Sequence, residues 1–204
     1  MLICVLTGLA SGMPLYLLIQ LIPAWLRSSS VSLVDIGLIA LVTLPYSWKF
    51  LWAPLMDRLR MPLGRRRGWM LVTQVALILS IGCLGYIDPL NQTALVAVFA
   101  SLIAFLSATQ DVAIDAFRRE ILPDEELGLG NAIHVQAYRI ASLVPGSLSL
   151  ILADHLPWVW VFWITAAFMA VGLMLSLSVT EPENLSPPAN TLRDRVITPF
   201  TEYF

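Results

Sequence analysis

Two acidic residues lie inside a long apolar stretch of this sequence. Asp111 and Asp115 are four residues apart within residues 93–117, and Arg139 lies midway along a second apolar stretch, residues 130–153. An ionised side chain near the centre of a membrane-spanning helix costs about 2.5 to 3.5 kcal/mol on insertion scales, so such residues usually face a cavity, a partner or a solute. If these stretches cross a membrane, the three residues are candidates for handling a solute or a proton.

The composition favours a membrane protein. Of 204 residues, 58% are hydrophobic and 13% are charged, whereas soluble domains average about 45–50% and about 25%. Because lipid cannot satisfy backbone polar groups, apolar stretches of about 20 residues are predicted to be helices. We predict an all-α membrane protein whose residues 1–180 form one bundle of six transmembrane helices, at residues 2–25, 34–56, 69–87, 94–117, 130–153 and 157–178.

Arginine residues are concentrated in alternate connectors. The connectors at the other end of the bundle contain only Arg27. By the positive-inside rule, the amino terminus and the arginine-rich connectors are predicted to be cytoplasmic. The arginines concerned are Arg58, Arg60, Arg65, Arg66, Arg67, Arg118, Arg119, Arg193 and Arg195. The net charge of −2 gives no indication of a nucleic-acid partner.

Residues 181–204 are predicted to be a cytoplasmic linker. Leu192, Val196, Ile197, Phe200 and Phe204 fit one apolar stripe of an interfacial helix, and a frayed terminus fits equally well. Cys4 and Cys83 lie in the predicted spans and show no metal-binding spacing, so we expect neither a metal nor another cofactor.

The polar residues of the fourth and fifth helices allow two interpretations. A spacing of four places Ser107, Asp111 and Asp115 on one helical face. This stripe suits proton coupling, since the proton occupancy of Asp111 depends on solvent access and nearby charge, but it also suits a static ion pair between the helices. Arg139 suits binding of a solute carboxylate or neutralisation of Asp111, and we favour neutralisation.

Two further ionisable residues have competing roles. His134 lies close to a connector, so a solvated histidine at the helix end is favoured over a proton relay. Lys49 lies about 12 Å along the second helix from Asp57. We expect its side chain to extend towards the cytoplasm, and the alternative is a counter-charge for Asp111 or for an acidic solute.

The first helix carries a GxxxG pattern at Gly8 and Gly12, which favours close helix contact. Ser11, Tyr16 and Gln20 on the same helix are expected to make interhelical hydrogen bonds. Binding of sugar hydroxyls is the alternative.

The connector between the second and third helices resembles the D-R-x-G-R-R loop of the major facilitator superfamily. The matching residues are Asp57, Arg58, Gly64, Arg65, Arg66 and Arg67. In that family these residues latch helix ends together, partly by pairing with an acid at the end of the fourth helix, a position that Asp115 fits. A general explanation also covers the arginines, because any cytoplasmic loop gathers them.

Longer motifs resemble the AmpG muropeptide permease family of that superfamily. They are SATQDVAIDAFRRE at 107–120, AYR at 137–139, GLASGMP at 8–14 and WKFLWAPLMDR at 48–58. The resemblance covers nearly the whole chain, but members of the family have two six-helix halves, so this chain corresponds to the amino-terminal half.

The resemblance implies proton-driven import of anhydro-muropeptides, from periplasm to cytoplasm across the bacterial inner membrane. The proton and the muropeptide are then the transported species, and a second six-helix half, in the same longer chain or in a partner subunit, is required. The residues implied in proton coupling or substrate binding are Lys49, Gln110, Asp111, Asp115, His134, Tyr138 and Arg139.

Other functions remain as alternatives. Acetyl-coenzyme A transporters carry related motifs, and a half-carrier fold also suits a non-transporting sensor or assembly subunit. A fragment, a degenerate gene and a subunit are all compatible with the length. We do not expect an enzyme, because hydrolysis by an acid pair needs an opposed second group, and Asp111 and Asp115 share one helix.

Overall fold

A computed structural model describes residues 1–59, 61 and 63–179. In this part of the chain, six helices are long and apolar enough to cross a membrane, as predicted. They are α1 (Leu2–Ser28), α2 (Leu33–Leu51), α3 (Arg65–Leu84), α4 (Thr93–Ile121), α5 (Asp124–Ala153) and α6 (Trp158–Ser178). The predicted linker and amphipathic stripe of residues 181–204 lie outside the described residues.

Some helix ends differ from the prediction. The fourth helix continues to Ile121, and the fifth already begins at Asp124. Hydropathy marks only the apolar part of a helix, whereas backbone hydrogen bonding continues through polar residues. The acid Glu120, expected in a connector, therefore belongs to the end of α4.

Helix α2 is irregular along its length. It has α-helical segments at Leu33–Ile39 and Leu44–Trp48, with 3-10 turns at Ala40–Thr43 and Lys49–Leu51. A further short helix follows at Ala53–Arg58. Pro54 lacks a backbone N–H and its ring crowds the carbonyl four residues earlier, which explains the break just before it.

The core is centred on α1. The helix contacts α4, α5 and α6, and α3 packs against α4 and α6. Large side chains of α1 are almost fully buried, among them Leu17, Leu21, Ile22, Trp25 and Leu26. Trp25 packs edge-on against Phe162 of α6, with the ring centroids 5.0 Å apart.

Helices α1 and α5 touch backbone to backbone. A Cβ atom placed on Gly8 would collide with the carbonyl oxygen of His134, and one on Gly12 would collide with the carbonyl oxygen of Tyr138. The close contact predicted from the GxxxG pattern is therefore confirmed, because only glycine leaves room for this approach.

The remaining two faces of the bundle are poorly covered. In the most apolar stretch of each helix, only 6% of the residues of α2 and 22% of those of α5 are buried, against 56% for α1. These two helices flank the opening of a cavity between the helices.

Candidate functional site

A cavity of about 560 Å³ lies between α1, α2, α4 and α5. Its volume is within the range of small-molecule sites, about 300 to 1,000 Å³. Its walls carry most of the charged and polar groups singled out in the sequence. The lining residues are Ser11, Tyr16, Tyr46, Lys49, Asp111, Asp115, Arg118, Asn131, His134, Val135, Tyr138 and Arg139.

Asp111 is the most deeply buried charged group of the cavity, with 7% of its surface exposed. The Ser11 hydroxyl of α1 donates a hydrogen bond to its Oδ1 atom. The Nζ atom of Lys49 lies 3.9 Å from its Oδ2 atom. A buried carboxylate requires such partners, because burial of an unpaired ion is very costly.

Asp115 lies one turn nearer to the arginine-rich end of the bundle and is half exposed. Its Oδ2 atom is 3.6 Å from the same Lys49 Nζ, and its Oδ1 atom accepts a hydrogen bond from Arg118 Nη2 at 3.1 Å. Lys49 therefore bridges both carboxylates of the α4 stripe.

The expected position of Lys49 was wrong. We expected the side chain to extend towards the helix end, but it enters the cavity and takes the role of counter-charge to Asp111. Lys49 is the first residue of the 3-10 turn Lys49–Leu51. The indole Nε1 of Trp52 donates to Thr109 Oγ1 of α4 at 3.2 Å and fixes this turn against α4.

Arg139 does not neutralise Asp111, contrary to the favoured prediction. Its side chain lines the cavity, and no ion pair is found for it among the described residues. The structure thus brings a third cation to the cavity without an acidic partner from the described helices.

His134 is buried, with 6% of its surface exposed, so the prediction of a solvated helix-end histidine was wrong. Its Nδ1 atom is 3.2 Å from Thr7 Oγ1. The close approach of α1 and α5 at Gly8 covers the imidazole, and hydropathy alone gives no sign of this contact. Tyr138, one turn further along α5, packs its ring 5.7 Å from that of Tyr16.

Gln110 is fully buried and does not line the cavity. Its Nε2 atom donates to the Ala10 carbonyl oxygen at 3.1 Å. Neighbouring residues of a helix point about 100° apart, so Gln110 packs on α1 while Asp111 faces the cavity. A role of Gln110 in proton coupling or substrate binding stays a prediction.

Four cavity residues were not anticipated as lining: Tyr46, Arg118, Asn131 and Val135. Arg118 Nη2 also donates to Asn131 Oδ1 of α5 at 3.2 Å. Helical spacing could have indicated two of them. Arg118 lies on the same face of α4 as Asp111 and Asp115, and Asn131 lies on the same face of α5 as His134 and Tyr138.

A second polar cluster lies at the arginine-rich end, outside the cavity. The Oε1 atom of Glu120 accepts from Arg65 Nη2 at 3.0 Å and from Arg66 Nη2 at 2.9 Å. The sequence pointed to Asp115 as an acid that fits this pairing; in the structure the acid that contacts Arg65 and Arg66 is Glu120, which α4 includes because it continues to Ile121. Asp57 and Arg58 lie on the short helix Ala53–Arg58, with side chains outside the described part of the structure.

Arg67 ties α3 to a third helix. Its Nε atom donates to the Ser176 carbonyl oxygen at 2.8 Å and its Nη2 atom to that of Leu177 at 2.7 Å. These carbonyls belong to the last turn of α6, where a cation is also favoured by the helix dipole. Gly64 precedes α3 with a φ of 114°, a conformation that favours glycine.

The described residues form a bundle of six helices, each long and apolar enough to cross a membrane, around a polar cavity. The family model of the Major Facilitator Superfamily matches residues 4–204, and the chain belongs to that superfamily. It is 41% identical over 204 residues to the anhydromuropeptide permease of Escherichia coli strain K12, which covers 99% of this chain and 42% of the permease.

Two other relatives are also matched over 42% of their own length. A Haemophilus influenzae protein without an assigned function is 54% identical over 178 residues, 87% of this chain and 42% of that protein. A Rickettsia bellii protein named as an AmpG transporter is 33% identical over 173 residues, 82% of this chain and 42% of its own. The chain spans less than half the length of these relatives, and the resemblance to AmpG permeases predicted from the sequence is confirmed.

Proposed function

We propose that this chain forms the amino-terminal half of a proton-coupled carrier that imports anhydro-muropeptides from the periplasm into the cytoplasm. The arginine-rich end of the bundle then faces the cytoplasm of a bacterial inner membrane. One observation carries the proposal: Lys49 lies between two carboxylates of α4, in a cavity that also contains Arg139.

The charges of the cavity support an anionic solute. Lys49, Arg118 and Arg139 give three positive charges, and Asp111 and Asp115 give two negative charges when ionised, which leaves an excess of one positive charge. A cleft with such an excess attracts anions, and a guanidinium binds carboxylates in a bidentate manner. The stem peptide of a muropeptide supplies such carboxylates.

Proton coupling follows from competition for Lys49. When a solute carboxylate or Asp115 draws the ammonium away, Asp111 keeps only the Ser11 hydroxyl as a partner. A buried carboxylate without a cation is costly, so proton uptake by Asp111 then becomes favourable. Solute binding and protonation are thereby linked through one lysine side chain.

The carrier needs a second half to enclose the solute. The apolar residues of α2 and α5 beside the cavity are exposed, for example Leu41, Trp48, Val135 and Ile140. Many secondary carriers place their site between two related halves. We propose that a second six-helix bundle, in the same longer chain or in a partner subunit, packs against these helices.

The test is uptake of radiolabelled anhydro-muropeptide into membrane vesicles from cells that produce the intact protein. We expect accumulation that requires a proton gradient and is abolished by an ionophore. Accumulation that persists after the gradient collapses would contradict proton coupling. Competition by acetyl-coenzyme A but not by unlabelled muropeptide would indicate the related carrier class, and no uptake of either solute would favour a sensor.

A further inference from the structure

Three of the five tyrosines of the chain line the cavity: Tyr16, Tyr46 and Tyr138. They come from three different helices, α1, α2 and α5. The rings of Tyr16 and Tyr138 are in contact, at a centroid distance of 5.7 Å and an interplanar angle of 60°. Tyr16 and Tyr138 therefore form an aromatic pair in the cavity lining, and Tyr46 adds a third tyrosine from α2.

The tyrosines lie deeper than most of the charged groups. Asn131 is near the start of α5, and Tyr138 is seven residues further on, about 10 Å deeper. Tyr16 lies five residues beyond Ser11 on α1, about 7.5 Å deeper. Helix α2 runs in the opposite direction, so Tyr46 also lies beyond Lys49. Arg118 and Asn131 thus lie nearest the arginine-rich end of the cavity, Asp111 and Lys49 lie further in, and the tyrosines lie deepest, together with Arg139, which follows Tyr138 on α5.

An interfacial anchoring role does not explain this position. Tyrosines that anchor a membrane protein lie at the helix ends, at the level of the lipid headgroups. Simple packing does not explain it either, since leucine or phenylalanine fills space between membrane helices without a hydroxyl group. A tyrosine ring offers both an apolar face and a hydrogen-bonding hydroxyl, and a sugar ring presents the matching combination of C–H faces and hydroxyl groups.

We infer that Tyr16, Tyr46 and Tyr138 form a saccharide subsite at the deep end of the cavity. The inference rests on the proposed function and orients the solute within it. The sugar rings pack against the tyrosines, and the peptide carboxylates point towards Lys49 and Arg118, nearer the arginine-rich end of the bundle. Specificity then has two separable parts, one for the sugar and one for the charged peptide.

The test measures inhibition of muropeptide uptake in vesicles by two partial solutes, the anhydro-disaccharide without peptide and the free stem peptide. The ratio of their half-inhibitory concentrations does not depend on the amount of protein inserted. For the Tyr138→Leu variant, we expect the disaccharide to become about three- to tenfold weaker relative to the peptide, the range expected for loss of one aromatic contact. Tyr16→Leu should act in the same direction.

Two variants serve as controls. Tyr138→Phe keeps the ring and should lose less than Tyr138→Leu. Tyr86→Leu removes an exposed tyrosine, whose hydroxyl accepts a hydrogen bond from Trp163 far from the cavity, and should leave the ratio unchanged. If the leucine variants transport too little to measure, calorimetric binding of the disaccharide to the purified intact protein gives the same comparison.

The outcomes separate the two proposals. An unchanged ratio in both leucine variants, or a wild-type protein that takes up muropeptide without inhibition by the disaccharide, overturns the saccharide subsite and leaves the transport proposal intact. Absence of muropeptide uptake by the wild-type protein overturns the proposed function. In that case, disaccharide binding that is lost in Tyr138→Leu still supports the subsite, and absence of binding overturns it.

Discussion

The Nζ atom of Lys49 lies 3.9 Å from the Oδ2 atom of Asp111, although the two residues belong to different helices and are 62 positions apart in sequence. The contact joins α2, which is otherwise poorly packed, to the most deeply buried carboxylate of the cavity.

Replacement of Asp111 by Asn should abolish accumulation of muropeptide against a gradient. The asparagine amide cannot take up or release a proton as a carboxylate does, so the internal muropeptide concentration should not exceed the external one. Vesicle uptake with an imposed proton gradient measures this, with membrane insertion checked by immunoblot. Asp88→Asn, in an exposed turn, is the matched control. Normal accumulation by the Asp111→Asn protein would show that this acid does not couple proton and solute.

Lys49 and Asp111 should be coupled in stability. Lys49→Met leaves a buried carboxylate without its cation, and Asp111→Asn removes the charge that requires it. Because about a third of the Lys49 side chain is exposed, we expect a modest coupling energy of about 0.5–1 kcal/mol in a double-mutant cycle. Thermal unfolding of the four proteins in detergent measures it. Strict additivity would mean that the two groups do not interact.

Gly12→Ala should destabilise the bundle by about 1–3 kcal/mol, because the new methyl group must displace the backbone of α5 at Tyr138. The same change at Gly37 or Gly128, where no atom lies within 4 Å of the added Cβ, serves as control. Unfolding temperatures of the purified proteins provide the comparison. Equal effects at all three sites would contradict the close contact of α1 and α5.

Glu120→Gln should be strongly destabilising, by about 3 kcal/mol, since it leaves the buried guanidinium groups of Arg65 and Arg66 without this carboxylate. Asp124→Asn is the control, because its pair with Arg119 is exposed and should contribute about 0–1 kcal/mol. Limited proteolysis near the connector and thermal unfolding both report the change. A Glu120 variant as stable as the Asp124 variant would argue against a latch.

The six membrane-spanning helices and the polar face of α4 could be predicted from the sequence. Runs of apolar residues define the helices directly, and the spacing of Asp111, Asp115 and Arg118 places them on one face of α4. The contact of Gly8 and Gly12 with another helix was also predictable, because a GxxxG pattern favours close helix approach.

The remaining features depend on how helices pack. Lys49 lies in a 3-10 turn of the irregular helix α2, and regular helical spacing does not give the direction of its side chain. His134 is covered because α1 approaches α5 closely at that level. Glu120 contacts Arg65 and Arg66 because backbone hydrogen bonding extends α4 beyond its apolar part.

The backbone contact of α1 with α5 restricts how the cavity can change shape. Helices that meet through glycines, with carbonyl oxygens against Cα atoms, have no flexible side chains between them to absorb sliding. These two helices should therefore travel as one rigid body. The softer seam is on the opposite wall, where the poorly buried α2 meets α4 beside Lys49, and separation of the walls should begin there.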